Sequence, residues 1–361
     1  MNLPSFAQIA ATLTTVAAAV LAGAVANFLG FPLPWLLGAL LCSAGLSVSP
    51  VRFFGERPQL TQTVRNLAVP VIGVMIGAGI TPDVARAMLG WWPSLLALIP
   101  VAVFLQLLNY FILRKVGGYD RPTAFFAASP GGLIEAVLLG EKEGGNAALM
   151  SFQQLCRIAL SVISIPLIFQ FTTGSAVGSA AGALIDAGKA TRLSLLDAGV
   201  LIGCGAVGLV FGKRLRLPAA IMVGPMIISA LVHITELSSA AVPSLIVTAA
   251  QIAIGTVIGL RFAGQNFQSL IRGMRLSIIT VTISITVAAC VALIIAGFGI
   301  AGWEAGFLAF APGGLAEMGL IAISLGVSPI YVTTHHVVRI VVAVSLSRVL
   351  FRLLLRFSAD R

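Results

Sequence analysis

Charged residues are scarce in this sequence. Only 9% of its 361 residues are Asp, Glu, Lys or Arg, while 58% are apolar. An ordinary soluble domain has roughly 25% charged residues, and so few polar groups could not cover this much apolar surface in water. The composition excludes a soluble domain and predicts an all-α polytopic protein in the lipid bilayer. The 38 glycines suit closely packed membrane helices.

Histidine and cysteine are also rare. The chain has three His, two of them adjacent, and four Cys without CxxC spacing. Metal oxidation centres gather several His or carboxylate ligands at one site, and no GxxxxGK[ST] phosphate loop is present. We therefore expect no metal, no cofactor and no catalytic residues, and predict that the chain is not an enzyme.

Basic residues outnumber acidic ones, 22 to 12, for a net charge of +10. In a soluble protein this excess would suggest nucleic acid. Here the Lys and Arg lie in short loops between apolar runs, which is the pattern of the positive-inside rule. We expect no nucleic-acid partner.

Twelve apolar segments are candidates for membrane helices, which need roughly 20 residues to cross. The chain divides into a first repeat (1–172), a Gly/Ser/Ala-rich linker (173–195) and a second repeat (196–361). The segments are 8–29, 33–48, 66–80, 91–113, 123–140 and 150–172 in the first repeat, and 197–212, 218–234, 243–260, 276–298, 304–325 and 329–355 in the second.

The two halves repeat each other. FAASPGGLIE at 126–135 corresponds to LAFAPGGLAE at 308–317, an offset of 182 that holds through Arg157 and Arg339. The same offset relates a glycine pair at 73 and 77 to one at 255 and 259, which we interpret as close helix packing. These coincidences indicate an internal duplication.

Loop charges distinguish inverted from parallel repeats. If 123–140 and 304–325 each enter and leave on one side, 17 Lys and Arg lie inside and 3 outside, whereas crossing by all twelve segments gives 12 and 8. The first arrangement obeys the positive-inside rule better. It predicts inverted repeats, ten crossing helices, two broken or re-entrant segments and cytoplasmic termini. A parallel duplication with weak charge bias is the alternative.

The Pro-Gly-Gly at 130–132 and 312–314 should break its helix at membrane depth. Proline removes a backbone donor and clashes with the preceding turn, and unwound backbone survives there only inside protein or beside a wet cavity. Inverted-repeat transporters build binding sites from such breaks. Glu135 and Glu317, three residues beyond, are either capping groups of the next half-helix or ion carriers.

Further polar residues follow each break within the next helix. Arg157 and Arg339 are either members of structural ion pairs with the glutamates or anion-binding groups. His335 or His336 is either a proton relay or a hydrogen-bonded packing residue. The complete candidate binding set is Ser129, Pro130, Gly131, Gly132, Glu135, Gln153, Gln154, Arg157, Pro312, Gly313, Gly314, Glu317, His335, His336 and Arg339.

With SPGGLIE, APGGLAE and HHVVR in view, the chain resembles the Gram-negative AbrB duplication family of membrane proteins. The resemblance covers nearly the whole length. This family is similar to the cation–proton antiporter and anion-transporter superfamily, whose members have inverted repeats and crossed broken helices. Its members carry labels such as ammonia monooxygenase and regulator of gene expression. The resemblance implies a multi-pass protein of the bacterial inner membrane.

Two functions are consistent with these residues. The first is a secondary transporter of a small solute, an organic anion, coupled to protons or sodium. The alternative is a membrane sensor that acts indirectly on gene expression. The expected partners are the bilayer and the solute, with a homodimer as one candidate assembly.

Substitution by glutamine distinguishes the two roles considered for Glu135 and Glu317. Gln can replace Glu in a capping box but cannot carry a proton. If Glu135 and Glu317 are only caps, Glu135→Gln and Glu317→Gln should retain full activity in a growth or flux assay. A carrier should instead lose most activity as Gln, and equal activity of both variants and the parent would contradict the carrier role.

Overall fold

The computed structural model describes residues 5–80, 82–131, 133–173, 194–263 and 267–359. Most of the predicted linker, 173–195, lies outside these ranges. The described helices are α1 (Phe6–Phe28), α2 (Pro34–Val48), α3 (Gln62–Ala78), α4 (Pro82–Met88), α5 (Trp92–Lys115), α6 (Arg121–Ala127), α7 (Leu133–Lys142), α8 (Ala147–Thr173), α9 (Leu195–Arg214), α10 (Ala220–Ile234), α11 (Ser244–Leu260), α12 (Phe267–Gly297), α13 (Trp303–Phe310), α14 (Leu315–Ser324) and α15 (Pro329–Ala359).

The chain is a helical membrane protein. Among the described residues, five helical stretches are long and apolar enough to cross a bilayer: Phe6–Phe28, Val84–Lys115, Ala147–Thr172, Leu195–Arg214 and Leu270–Gly297. Five more apolar helices are shorter. Each predicted apolar segment corresponds to one helix or, at the two Pro-Gly-Gly sequences, to a pair of shorter helices.

Helix starts follow local sequence signals. Ser5 begins α1 with a reciprocal capping box to Gln8, and Ser194 begins α9 with the same arrangement to Asp197. Each box satisfies backbone N–H groups that the first turn leaves without partners. These caps explain why both apolar runs begin as helices where they do.

The chain forms two compact units, and each unit combines segments from both predicted halves. The first unit contains residues 1–85, 162–267 and 316–330. The second unit contains residues 86–161, 268–315 and 331–361.

Glycines permit close helix contacts in the first unit. Gly73 and Gly77 place α3 against α10, and Gly255 and Gly259 place α11 against α2. A Cβ on any of these four glycines would overlap a carbonyl oxygen of the facing helix, at Met222, Met226, Leu36 and Leu40 respectively. Small residues let membrane helix backbones approach this closely, as the sequence predicts for both glycine pairs.

Gly77→Ala should destabilise the protein, because the new methyl group would meet the carbonyl of Met226 and the side chain of Ser229. Overpacking of this kind costs about 1–3 kcal/mol. Gly203→Ala is the matched control, because no described atom lies within 4 Å of the position its Cβ would take in α9. Thermal unfolding in detergent should show a lower midpoint for Gly77→Ala alone. Equal midpoints would contradict the packing role.

Candidate functional site

Two breaks interrupt helices at the Pro-Gly-Gly sequences, and the described residues of both breaks belong to the second unit. The first lies between Ala127 and Leu133, and the second lies between Phe310 and Leu315. Gly132 lies outside the described residues. A break leaves backbone carbonyls without helical partners, and these groups need other donors at membrane depth.

Arginine side chains donate to carbonyls within both breaks. Arg157 Nη1 donates to Ser129 O at 2.6 Å, and Arg339 Nη1 donates to Ala311 O at 2.7 Å. Arg339 Nη2 also reaches Gly313 O at 3.2 Å. The two shorter bonds join residues equivalent at the offset of 182. Each guanidinium therefore replaces a hydrogen bond that the helix loses.

A second pair of equivalent bonds supports the helix just before each break. Gln154 Nε2 donates to Phe126 O at 2.9 Å, and His336 Nε2 donates to Leu308 O at 2.9 Å. Arg339 Nη2 lies 2.8 Å from His336 Nδ1. Since Arg can only donate, Nδ1 must accept, and this assigns His336 as the neutral tautomer with its proton on Nε2.

His335 points away from this network, as expected for adjacent helical residues. Its Nδ1 lies 2.8 Å from Tyr331 O, and its Nε2 lies 2.9 Å from Ser94 Oγ on α5. Ser94 Oγ also lies 2.8 Å from Trp91 O. These contacts join α15 to the start of α5 within the second unit.

Gln153 takes the corresponding position in the first half. Its Oε1 accepts from the Tyr119 hydroxyl at 3.1 Å, and its Nε2 donates to Ser277 Oγ at 2.7 Å. Gln153 also lines a small cavity with Asn109 and Arg157. Both amide atoms are thus engaged with α12 and with the loop before α6.

A second cavity within the second unit lies between the two breaks. Pro130 and Pro312 line it with Arg157 and Arg339. The remaining wall consists of Leu98, Val101, Ala102, Leu105, Asn109, Ser284 and Phe310. The cavity has room for about one water molecule. Among its described lining residues two carry positive charge and none carries negative charge, so the wall favours a small anion.

The two glutamates are placed differently from the arginines. Glu135 belongs to α7, but its side chain lies outside the described residues. Glu317 is in the first turn of α14, is buried and belongs to the first unit. In that unit, burial and the positive charge of Arg65 lower the pKa of Arg261, and the negative charge of Glu317 raises it. Glu317 thus has a cationic neighbour outside the arginine cavity.

Comparison with known proteins identifies the family. The family model described as "Transition state regulatory protein AbrB" matches residues 46–355.

The chain belongs to the AbrB family. It is 24% identical to "Uncharacterized protein YhjN" of Bacillus subtilis (strain 168), over 94% of this chain and 92% of the relative. It is also 24% identical to "Putative regulator AbrB" of Escherichia coli (strain K12), over 82% of this chain and 83% of the relative. The resemblance carried by the paired Pro-Gly-Gly motifs is confirmed.

Sequence reasoning missed Asn109 and Ser284, two polar residues that line the cavity between the breaks. Asn109 interrupts the apolar run of α5, and Ser277, Thr280 and Ser284 recur on α12 at i, i+3 and i+7. Residues at this spacing share one helix face. A search for polar residues on one face of these segments could have found them.

The equivalence of Gln154 and His336 can be tested by exchange. His336→Gln should keep the protein within about 1 kcal/mol of its original stability, because a glutamine already supports the equivalent carbonyl in the first half. His336→Leu leaves Leu308 O without this donor and should cost about 1–3 kcal/mol. Denaturant unfolding in detergent measures both. Equal stability of the Gln and Leu variants would contradict the role of the hydrogen bond.

Proposed function

We propose that this protein is a secondary transporter of a small organic anion. One observation carries the proposal: guanidinium groups bound to the carbonyls of two broken helices line a single small cavity. Guanidinium groups suit carboxylates, and broken helices are where membrane carriers bind their solutes. The arginines hold the unwound backbone and leave their charge facing the solute.

The proposed topology has inverted repeats, ten crossings and two broken segments, with both termini in the cytoplasm of a bacterial cell. The loop charges of the sequence support it. The equivalent hydrogen bonds of Arg157 and Arg339 support a common origin of the two halves. In alternating access, one repeat moves against the other around a fixed site. The breaks are the natural fixed site in this arrangement, and the cavity between them, which has room for about one water in this structure, widens to admit the solute.

The proposed coupling ion is a proton or sodium. Glu317 is buried at the first turn of the half-helix after the second break, and an ionisable group inside the membrane is a candidate ion carrier. His336 is a weaker carrier candidate, because both of its ring nitrogens are engaged.

A membrane sensor is the second candidate function. The observation that favours it is the word "regulator" in the name of the Escherichia coli relative. A sensor would use the same anion cavity and would signal through a partner. Binding of an anion without any flux would favour the sensor over the transporter.

Flux measurements should distinguish the arginines of the cavity from other arginines. Purified protein in proteoliposomes should take up one or more anions from a panel of acetate, propionate, lactate, succinate and sulfate. Arg157→Ala and Arg339→Ala should each reduce that uptake about 10- to 100-fold, because each removes a charge-assisted contact worth about 1.5–3 kcal/mol. Absence of flux for every anion would contradict the transporter proposal.

Two further variants control this experiment. Arg348→Ala changes an exposed arginine of the same helix, α15, and should retain full uptake. Arg339→Lys keeps the charge but not the planar fork, so its uptake should fall between the parent and Arg339→Ala. Size-exclusion chromatography verifies that each variant is folded.

A further inference from the structure

Asn109 offers a buried acceptor beside the two arginines of the cavity. Its Nδ2 lies 3.3 Å from Ser284 Oγ, and Ser284 Oγ in turn donates to Thr280 O at 2.7 Å. A serine hydroxyl has one proton, so Ser284 accepts from the Asn109 amide nitrogen. This fixes the orientation of the amide, with Oδ1 as the atom turned away from Ser284.

The oxygen of this amide has no hydrogen-bond partner among the described residues. Asn109 is only 5% exposed. It lines both the cavity between the breaks and the cavity that Gln153 lines. Buried polar atoms are rarely left without a partner, so this oxygen requires a donor that the described residues do not supply. A ligand that donates a hydrogen bond would satisfy this acceptor.

The arginines of the same cavity need a ligand group that accepts hydrogen bonds. Arg339 is 4% exposed, and its Nε has no partner among the described residues, although both of its terminal nitrogens are engaged. Arg157 adds a second positive charge to the wall. A ligand must therefore present an anionic acceptor to the arginines and a donor to Asn109.

The rest of the wall limits what else the ligand can be. Leu98, Val101, Ala102 and Leu105 form an apolar face of α5, which suits a short hydrocarbon body. An ammonium group could also donate to Asn109, but the two guanidinium charges would repel it, and no carboxylate balances them among the described lining residues. A neutral hydroxyl is the donor that fits.

We infer that small 2-hydroxycarboxylates bind here when the cavity is widened beyond the one-water space of this structure, with the carboxylate on Arg157 and Arg339 and the hydroxyl donating to Asn109 Oδ1. This inference rests on the proposed function and names its substrate class. Asn109 is the residue that separates a hydroxy acid from the corresponding unsubstituted acid. A site built to bond a hydroxyl strongly rejects the analogue that lacks it.

Two pairs of acids that differ by one hydroxyl test this inference. Calorimetric titration of the purified protein in detergent should show lactate binding about 10- to 100-fold more tightly than propionate, and glycolate more tightly than acetate by a similar factor. Asn109→Leu removes the acceptor, so the two members of each pair should then bind with similar affinity. L-Alanine should bind more weakly than lactate in every variant.

Gln106→Leu is the matched control. Gln106 is a buried amide of the same helix that also has an atom without a partner among the described residues, but it is not among the lining residues of either cavity. This variant should keep the parent's preference for lactate. If Asn109→Leu also lowers the thermal midpoint, the preference of the parent and of Gln106→Leu for lactate still tests the inference. Stability and selectivity are therefore measured separately.

Equal binding of lactate and propionate by the parent protein, or no binding of any of the four acids, would overturn the inference. So would an unchanged preference in Asn109→Leu, or tighter binding of alanine than of lactate. The broader proposal fails separately, when no anion of the flux panel is taken up. Flux of succinate or sulfate without binding of hydroxy acids would support the transporter proposal and contradict the proposed substrate class.

Discussion

The hydrogen bond from an arginine to the carbonyl of a broken helix is the interaction on which this site depends. Proline and glycine end each helix inside the membrane protein, and the freed carbonyls would be costly if left without donors. Arg157 and Arg339 supply those donors from the following helix. A charged donor makes a stronger bond than a neutral one, so unwound backbone persists at both breaks. The cavity exists because these breaks persist.

The two halves of the site are equivalent in framework and different in chemistry. Gln154 and His336 bond equivalent carbonyls, yet only the histidine also accepts from its arginine. Arg339 is consequently held by two carbonyls and a ring nitrogen, while the described bonds of Arg157 reach a single carbonyl. This asymmetry makes Arg339 the more fixed of the two charges. A binding site between two such groups has one rigid and one adaptable side.

Local sequence signals predicted the breaks, and the offset of 182 predicted which residues correspond. The structure has both breaks because Pro-Gly-Gly acts on its own turn. The duplication stays a prediction, and the corresponding hydrogen bonds of residues 182 positions apart support it. Sequence reasoning considered glutamates as partners of the arginines and overlooked the backbone carbonyls. Every residue has such a carbonyl, so the sequence does not show which ones accept from a side chain. Asn109 was missed because its significance arises from Ser284, which is 175 positions away. Contacts over that distance depend on how helices pack, which single residues do not reveal.

The glycine contacts of the first unit have a consequence for biosynthesis. The groove on α3 that Gly73 and Gly77 create is filled by α10, which begins about 140 residues later in the chain. At roughly 5–20 residues per second, the ribosome needs several seconds to deliver that helix. During this interval the glycine-lined surface of α3 lacks its permanent neighbour. Nascent chains therefore need lipid, or the insertion machinery of the cell, to occupy that groove until α10 has been synthesised.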